Sequence, residues 1–571
     1  MIVILRRKVV GDESVVIKTI KLKFGKAPNL PSAEILTTPV TVFVGPNNSG
    51  KSKILSEIHY RCTSGQLNSM DVILTEIEFD SFTLDIAQEK ISKITLKPDY
   101  NEALMPDNII VGKGGNRQQV NENQLLSALQ DTNSQINLFC RWYLAFNTLI
   151  LDGRNRINLV NQQSAGDLQQ PPHTSFQVLF RDDDKRKKVR RIIYDAFGLH
   201  LVVDPTNLGQ LRLRLSSRPP ATDIEERGIH EDALKFHSDA ILVEQASDGV
   251  KAFTGIVTEI IAGDPAVLLI DEPEAFLHPS LAFNLGKEIA LTSSGTEKRI
   301  FVSTHSPNFV MGCIQSGAPV NIVRLTYRNG TPTARILSNQ DILRLMRNPL
   351  LRSTGVLSGL FYEFVIVTES DADRAFYQEI NERLLRYKPE LGIINCLFIN
   401  AQNKQTVKTI IKPLRELGIP AVGLVDIDIL KDGGQVWTGF LESSFIPALE
   451  HQSLATLRSH IEQKLKESGK NMKRNGGVEI LSHSDQEAAN NLFDKLAEYG
   501  LFVVRKGELE SWLPNLGATG HGPTWLIDIF EKMGEDPESS SYLKPSSGDV
   551  WSFLGEIKKW FDNPTRKGIP L

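Results

Sequence analysis

The segment from Gly45 to Ser52 constrains the fold of this chain more than any other. It reads GPNNSGKS and fits the pattern G-x-x-x-x-G-K-[ST]. A strand is predicted before it, over Val40 to Val44, and a helix after it, over Ser52 to His59, which is the context that this pattern requires. Loops of this kind wrap phosphate groups with backbone N–H donors at the positive end of a helix. The sequence therefore predicts a nucleotide site in an α/β domain.

The polar positions of this loop have distinct predicted roles. Lys51 would reach the β- and γ-phosphates, and the hydroxyl of Ser52 would ligate Mg²⁺. The glycines let the backbone approach the phosphates closely. The predicted nucleotide-binding residues of the loop are Gly45, Asn48, Gly50, Lys51 and Ser52.

Two further strand ends supply the groups that a hydrolytic site needs. The apolar run VLLI leads into Asp271 and Glu272, and the run FVST leads into His305. Asp271 is expected to hold Mg²⁺, and Glu272 to orient or deprotonate the attacking water. His305 lies at a strand end, where it can sense the γ-phosphate.

A short S-x-G segment, Ser247 to Gly249, precedes a helix predicted over Ala252 to Ile261. By itself this segment is also typical of a helix N-cap. Together with the motifs above and the stretch DEPEAFLHP, it resembles the ABC-type ATPases, in the branch of SMC-like and RecF-like proteins. The resemblance covers most of residues 1 to 345.

The resemblance implies that Ser247 and Gly249 contact the γ-phosphate bound by another subunit. It therefore implies ATP as ligand and a homodimer, or a higher homo-oligomer, that encloses it. The glutamine loop of that family has two candidates here, Gln162 and Gln163.

A second α/β pattern begins near Phe361. Its apolar strands read FVIVTE, CLFIN, AVGLVD and LFVVR, with helices predicted over Asp373 to Leu385 and Gln405 to Leu417. Buried parallel strands have this composition. We predict an ATPase domain over residues 1–350 and a second α/β domain over 351–571. The first domain carries insertions at about 95–240, a candidate dimerisation region.

Carboxylates cluster at the strand ends of this second domain. Glu369 ends the first strand and Asp373 follows it, whereas Asp426 and Asp428 end a later strand as D-x-D. The carboxyl ends of parallel strands meet at one edge of a sheet. Oxygen ligands favour Mg²⁺ or Mn²⁺, and two such ions can clamp the attacking and leaving oxygens of a phosphodiester. The alternative is a set of unrelated N-caps and loop acids.

The strand LFVVR is followed by more charge. Lys506 is expected to stabilise charge on the reacting phosphate. Glu508 or Glu510 is expected to complete the set of metal ligands, and Glu510 is the preferred candidate. Each of these three residues is equally consistent with an ordinary surface charge.

The spacing E-x-x-x-D followed by D-x-D resembles the Toprim domain of topoisomerases, bacterial primases, recombination proteins and nucleases. The resemblance covers about 361–571. Ser370 stands where many Toprim domains have glycine. A topoisomerase would need a further strand-passage domain, and a bacterial primase usually carries a zinc module, which the four dispersed cysteines cannot form.

An ABC-type ATPase followed by Toprim resembles the OLD (overcoming lysogenisation defect) family, and also Gabija nuclease subunits and retron-associated OLD effectors. The resemblance implies an ATP-hydrolysing, Mg²⁺- or Mn²⁺-dependent DNA endonuclease in bacterial anti-phage defence. It also implies DNA as substrate, and a defence partner that is a protein or a retron nucleic acid. The alternative is an ATP-dependent DNA-binding sensor or clamp with a non-catalytic Toprim scaffold.

Composition limits how such a chain can bind DNA. The 571 residues include 64 Lys plus Arg and 68 Asp plus Glu, a net charge of −4. DNA would therefore meet a local groove rather than a general basic surface. The charged run from Arg181 to Arg191 is one candidate patch, although a solvated helix face explains it as well.

The remaining features indicate an ordinary soluble protein. The start MIVILRRKVV places apolar residues before basic ones, the reverse of a secretory signal, and is predicted to be a first strand. No apolar run reaches the length of a membrane span. We expect a cytoplasmic location without membrane contact. The polar, amide-rich residues 101–135 are predicted to form an insertion or mobile loop.

Overall fold

The structure is a computed structural model that describes residues 16–100, 102–113, 116–353 and 355–570, without the side chains of residues 350 and 353. The chain divides into two compact units, 1–339 and 340–571. The first strand predicted at the start of the chain lies outside the described residues.

The first unit is built around a six-stranded sheet. Five strands are parallel and the edge strand Thr331–Leu337 is antiparallel. Val40–Val44 lies at its centre, with every residue buried. Four of its five residues are apolar, as expected for a strand covered on both faces, and the fifth is the buried Thr41. The spatial order of the strands is Thr331–Leu337, Val320–Arg328, Val40–Val44, Arg299–Ser303, Val267–Asp271 and Thr148–Leu151.

Smaller antiparallel sheets surround this central sheet. One contains Ile17–Leu22, Glu34–Leu36 and Leu74–Phe79; another contains Thr95–Leu96, Asn108–Lys113 and Asn116–Asn121; a third contains Gln163–Ser164, His200–Asp204, Gln210–Ser216 and Ile241–Leu242. The α-helices of this unit are Lys51–Ser64, Leu84–Ile94, Glu122–Gln130, Ile136–Trp142, Asn155–Asn158, Ser175–Arg181, Asp183–Phe197, Asp223–Arg227, Glu231–Ser238, Asp248–Thr258, Pro279–Ser293 and Pro307–Gln315.

Residues 101–135 were predicted to be an insertion or a mobile loop, and the loop alternative is wrong for most of that stretch. The described part contains the hairpin Asn108–Lys113 and Asn116–Asn121, followed by the helix Glu122–Gln130. Val111, Val120 and Leu125 are buried in the core. The polar residues occupy the exposed faces of these elements, so amide-rich composition concealed regular structure.

The charged run at 181–191 lies largely on the helix Asp183–Phe197. Arg186 points inward, and its side chain, 2% exposed, pairs with Glu226 at 3.2 Å. Arg190 donates to the same carboxylate. Part of the run therefore stabilises the fold, while Lys187 and Arg191 are exposed.

The second unit contains a four-stranded parallel sheet, as predicted. Its order is Cys396–Asn400, Phe364–Thr368, Ala421–Asp426 and Leu501–Val504. The helix Asn339–Arg347 begins at the division between the units. The helices that follow it are Pro349–Ser353, Asp371–Tyr387, Lys404–Glu416, Gly434–Ser443, Ala448–Glu467, His483–Glu498, Pro523–Met533 and Asp549–Asp562. Tryptophans at 525, 551 and 560 pack in its main core.

All four cysteines are free thiols. Within the described ranges, no helix combines the length and apolar character that crossing a membrane requires.

Candidate nucleotide and metal sites

Close backbone packing shapes the phosphate-binding loop. Gly45 has φ +146°, and a Cβ there would lie 2.0 Å from the carbonyl oxygen of Leu325. Gly50 has φ +94° and directly precedes the helix Lys51–Ser64. Both positions require glycine, because a side chain would clash or strain the backbone. The helix N-terminus therefore faces the loop, as a phosphate site requires.

Lys51 is folded back onto its own loop. Its Nζ donates to the carbonyl oxygens of Gly45 at 2.9 Å and Pro46 at 2.7 Å. Burial lowers the pKa of Lys51 to about 8, although the charges of Glu272 and Asp271 act in the opposite direction. The ammonium therefore lies inside the loop, where phosphate oxygens could replace the carbonyls as its acceptors.

The two residues predicted to hold Mg²⁺ in the first unit lie side by side. The hydroxyl of Ser52 donates to Asp271 Oδ1 at 2.9 Å. Ser303 donates a short hydrogen bond to the same oxygen. The sequence separates Ser52 and Asp271 widely, and the parallel pairing of the central strands brings them together.

Glu272 and His305 also lie together. Glu272 has a left-handed backbone, with φ +50°, and its N–H donates to the carbonyl of Ser303 at 2.8 Å. Its half-exposed carboxylate is 3.5 Å from His305 Nε2. Burial, assisted by the charge of Lys51, lowers the pKa of His305. The imidazole is thus favoured in its neutral form beside the carboxylate.

Two residues to which the sequence interpretation gave no role, the buried Arg156 and the half-buried Glu274, support this edge. Arg156 is 2% exposed and donates to the carbonyl oxygens of Asp271, at 2.6 Å, and Glu272. Glu274 accepts from the N–H of His305 at 2.7 Å, and burial raises its pKa. Glu274 belongs to the DEPEAFLHP stretch, whose resemblance to ABC-type ATPases could have identified it. Arg156 lies in a polar segment that contains no motif.

The S-x-G segment begins the helix Asp248–Thr258. Ser247 occupies the N-cap position, is exposed, and forms no capping hydrogen bond through its side chain. Gly249 is buried, and a Cβ there would lie 2.6 Å from the carbonyl oxygen of Phe276. Of the two glutamine candidates, Gln163 lies in the third small sheet and its side chain accepts from the N–H of Phe176 at 3.4 Å. The side chain of Gln162 accepts from Asn207 at 3.3 Å.

In the second unit, Glu369, Asp426 and Asp428 converge. Each offers a carboxylate oxygen within 4.8 Å of the others, and Glu369 Oε1 accepts from the N–H of Asp426 at 2.8 Å. Burial raises the pKa of Glu369, and the charge of Asp426 raises it further; burial likewise raises the pKa of Asp426. Three partly buried carboxyls this close need cations to remain ionised.

Asp373 lies beside this group. It is 8% exposed, accepts from the hydroxyl of Ser370 at 2.6 Å, and has its pKa raised by burial. Ser370, which replaces the common glycine, caps the helix Asp371–Tyr387. Asp373 is therefore positioned at the cluster without joining its three-residue core.

Comparison with known proteins agrees with this geometry. Residues 40–311 match the family described as "AAA domain, putative AbiEii toxin, Type IV TA system". Residues 360–428 match the family described as "Overcoming lysogenization defect protein-like, TOPRIM domain". This chain joins an AAA ATPase domain to an OLD-like Toprim domain. The matched ranges contain the phosphate loop and the D-x-D strand end, respectively.

Individual proteins resemble this chain only weakly in sequence. The Old nuclease of Escherichia phage P2 is 23% identical over 261 residues, which are 43% of this chain and 43% of that protein. The SMC head domain of Pyrococcus furiosus, with a coiled coil and bound to part of ScpA, is 12% identical over 58% of this chain and 98% of that chain, with TM-score 0.32. The Thermotoga maritima SMC head is 13% identical over 57% and 99%, with TM-score 0.29.

Two lysines that the sequence interpretation did not name, Lys404 and Lys473, lie at the carboxylates of the Toprim domain, and Lys404 is 3.0 Å from Asp428. Lys506 is exposed. Lys473 lies 2.8 Å from Asp426, 3.2 Å from Glu508 and 3.9 Å from Asp428. Its loop contains no apolar strand or acidic pair, so nothing in the sequence indicated its location.

A second ligand group lies near the end of the last Toprim strand. Glu508, Glu510 and His521 each offer one atom within 4.8 Å of the others. His521 Nδ1 is 2.6 Å from Glu510 Oε1, and the N–H of Gly522 donates to the same oxygen at 2.7 Å. Both glutamates named from the sequence thus belong to one group, joined by a histidine that was missed.

Proposed function

We propose that this protein binds and hydrolyses ATP in its first unit and cleaves DNA with divalent cations in its Toprim domain. The observation that carries the proposal is the convergence of Glu369, Asp426 and Asp428. The phosphate loop supports the nucleotide half independently, because Ser52 and Asp271 meet beside a buried Lys51.

The ligand atoms fit hard divalent cations. The group of Glu369, Asp426 and Asp428 offers oxygens alone, which suits Mg²⁺ or Mn²⁺. Burial first, and the charge of neighbouring carboxylates second, raise the pKa of Glu369 and Asp426, and a bound cation would favour their ionised forms. When bound, Mg²⁺ or Mn²⁺ supplies charge neutralisation at the phosphodiester and a more acidic water.

The side chains at the two sites have separate proposed roles. Glu369, Asp426, Asp428 and Glu510 would hold cations, with Asp373 beside them. Lys473, rather than Lys506, is placed to neutralise phosphate charge, because its ammonium already lies among these carboxylates. Glu272 and neutral His305 would orient the water that attacks ATP in the other unit.

Ser247 and Gly249 support assembly as a homodimer or higher oligomer. The hydroxyl of Ser247 is exposed and forms no cap bond, so it is available to the γ-phosphate of a neighbouring chain. DNA as substrate, a cytoplasmic location, and a role in anti-phage defence with a protein or nucleic-acid partner complete the proposal. DNA as substrate and the defence role are supported by the OLD-like Toprim match and the partial similarity to the Old nuclease.

A plasmid-nicking assay tests the nuclease half. Wild type and Asp426→Asn would be compared on supercoiled DNA, with Mg²⁺ and Mn²⁺ tested separately, with and without ATP, and with EDTA as a blank. Asp371→Asn is the matched control, because Asp371 is exposed on the same domain outside both ligand groups. We expect nicking by wild type and the control alone.

Two results would reject this assignment. Equal nicking by wild type and Asp426→Asn would place the activity elsewhere. Absence of nicking by wild type under every condition, with ATP hydrolysis intact, would favour an ATP-dependent DNA clamp with a non-catalytic Toprim scaffold.

A further inference from the structure

A large cavity lies in the first unit at the edge of the central sheet opposite the phosphate loop. Its volume is about 1080 Å³, and Thr148, Ala266 and Lys298 line it. These residues lie at the starts of the strands Thr148–Leu151, Val267–Asp271 and Arg299–Ser303. Because Ser52 and Asp271 meet at the other ends of these strands, the cavity is separate from the candidate ATP site.

Positive charge predominates in this cavity. Among the described residues that line it, the acids are Glu259, Asp264 and Glu297, and the lysines are Lys90, Lys93, Lys113, Lys185, Lys188 and Lys298. The excess is three positive charges. A concave surface with this excess attracts a multivalent anion.

Several of these lysines already have partners. Lys90 pairs with Glu297, Lys298 with Asp264 at 2.8 Å, and Lys113 donates to the carbonyl of Gly263 at 3.0 Å. Lys93 pairs with Glu89 outside the cavity at 2.7 Å.

Lys185 and Lys188 differ from the other lysines. Both lie on the helix Asp183–Phe197, and neither forms a side-chain hydrogen bond or ion pair within the described chain. Lys185 is half-buried and Lys188 is exposed, and both side chains line the cavity. The carboxylates that act on them, Asp264 on Lys185 and Glu288 on Lys188, do so only through space, so both ammonium groups can still bind an anion in the cavity directly.

One wall of the cavity continues the helix that begins at Ser247. The α-helix Asp248–Thr258 runs directly into a π-helical turn, Glu259–Gly263, and residues 259–263 line the cavity. π-Helical turns within longer helices are frequent at functional sites. One continuous helix of roughly 24 Å thus joins the cavity to the S-x-G segment.

We propose that this cavity is a second anion site that binds a phosphorylated ligand with about three negative charges, held by Lys185 and Lys188. The volume accommodates a nucleotide-sized polyphosphate compound, since ligand pockets are typically about 300–1000 Å³. The same phosphate chemistry occurs in a free polyphosphate and at the 5′ end of a nucleic acid strand. Through the helix Asp248–Thr258, occupancy of the cavity would influence Ser247 and Gly249.

The first experiment measures tripolyphosphate binding by calorimetry in EDTA, on a Lys51→Ala background that disables the phosphate loop. We expect Lys185→Gln/Lys188→Gln to weaken binding at least about tenfold, since it removes two charged contacts. Lys187→Gln/Arg191→Gln is the matched control: it removes equal charge from the same helix, at exposed positions outside the cavity. Its affinity should stay within about twofold of the parent.

A second readout locates the ligand. Hydrogen exchange at residues 248–263 should slow when tripolyphosphate binds the Lys51→Ala parent or the control pair, and remain unchanged in Lys185→Gln/Lys188→Gln. Three further probes are compared on the same proteins: ATP, 5′-phosphorylated oligothymidylate and 5′-hydroxyl oligothymidylate. Tighter binding of ATP indicates a free ligand, whereas tighter binding of the 5′-phosphorylated than of the 5′-hydroxyl strand indicates a strand end. Equal affinities in all three proteins, or no binding of any probe to the parent, would overturn the proposal.

Discussion

The Nζ atom of Lys473 lies 2.8 Å from Asp426 Oδ2, at the centre of the Toprim carboxylates. Close backbone packing fixes this position, because a Cβ at Gly507 would lie 1.9 Å from the carbonyl oxygen of Lys473. Burial lowers the pKa of Lys473, but the charge of Asp426 and its neighbours raises it more, so the net shift is upward. The ammonium therefore stays charged and neutralises carboxylates that otherwise repel one another.

We predict that Lys473→Met destabilises the protein in EDTA more than in Mn²⁺. The lysine is 26% exposed and Asp426 14%, so the expected loss is about 2 kcal/mol, between the values for exposed and buried pairs. In a unit of this size, that loss of stability lowers Tm by roughly 5 °C. In saturating Mn²⁺ the cation replaces the missing charge, and the difference should shrink.

Thermal unfolding of wild type, Lys473→Met and Lys506→Met in both buffers tests this. Lys506 is exposed, so its variant should match wild type. The nicking rate should also fall more in Lys473→Met than in Lys506→Met. The reverse ranking of the two variants would restore the role first assigned to Lys506.

ATP binding should be coupled to proton uptake by Lys51. Its pKa is lowered to about 8, and a bound triphosphate favours the charged form and raises the pKa again. ATP affinity should therefore fall as pH rises through about 8, and protons should be taken up on binding near that pH. Calorimetry at pH 8 in two buffers of different ionisation enthalpy measures this uptake.

The matched comparison is Lys51→Arg. An arginine stays charged throughout this range, so its binding should release the same heat in both buffers at pH 8. Buffer-dependent heat in Lys51→Arg equal to that of wild type would show that another group takes up the proton.

Glu272→Gln should bind ATP but hydrolyse it slowly, and should thereby accumulate a nucleotide-bound dimer. The substitution removes the carboxylate beside His305 while preserving the size of the side chain, and that carboxylate is expected to orient the attacking water. Light scattering of Glu272→Gln with ATP should give twice the mass of one chain or more. Adding Gly249→Ala should prevent this, because the new Cβ would meet the carbonyl oxygen of Phe276. ATPase turnover equal to wild type in Glu272→Gln would contradict the role of Glu272.

The sequence predicted those features that short local patterns encode. Val40–Val44 and Phe364–Thr368 are apolar except for one buried threonine each, because both faces of each strand are covered, so composition alone identified them. The helix after the phosphate loop extends beyond its predicted end at His59 to Ser64, and Gly65 in a left-handed conformation ends it. That boundary was readable in principle, because glycine is the usual residue at this position.

Other features depend on contacts between residues distant in sequence. Arg156 reaches the backbone of Asp271, and Lys473 reaches Asp426, through tertiary packing that no local pattern contains. The hairpin within 101–135 was missed for a different reason. Its strand Asn116–Asn121 buries Val120 alone, too weak an alternation to distinguish it from a polar loop.

His521 should be needed for full cation binding by the second Toprim ligand group. Its Nδ1 lies 2.6 Å from Glu510 Oε1, so it can either coordinate a cation directly or orient Glu510, and loss of such a group typically lowers metal affinity about 10- to 100-fold. Electron paramagnetic resonance titration with Mn²⁺ should show one tight ion fewer in His521→Ala than in wild type. His483→Ala is the control, since its side chain is 90% exposed and pairs only with Glu487 among the described residues. Unchanged Mn²⁺ stoichiometry and affinity in His521→Ala would mean that Glu508 and Glu510 hold no separate ion and belong instead with the carboxylates around Lys473.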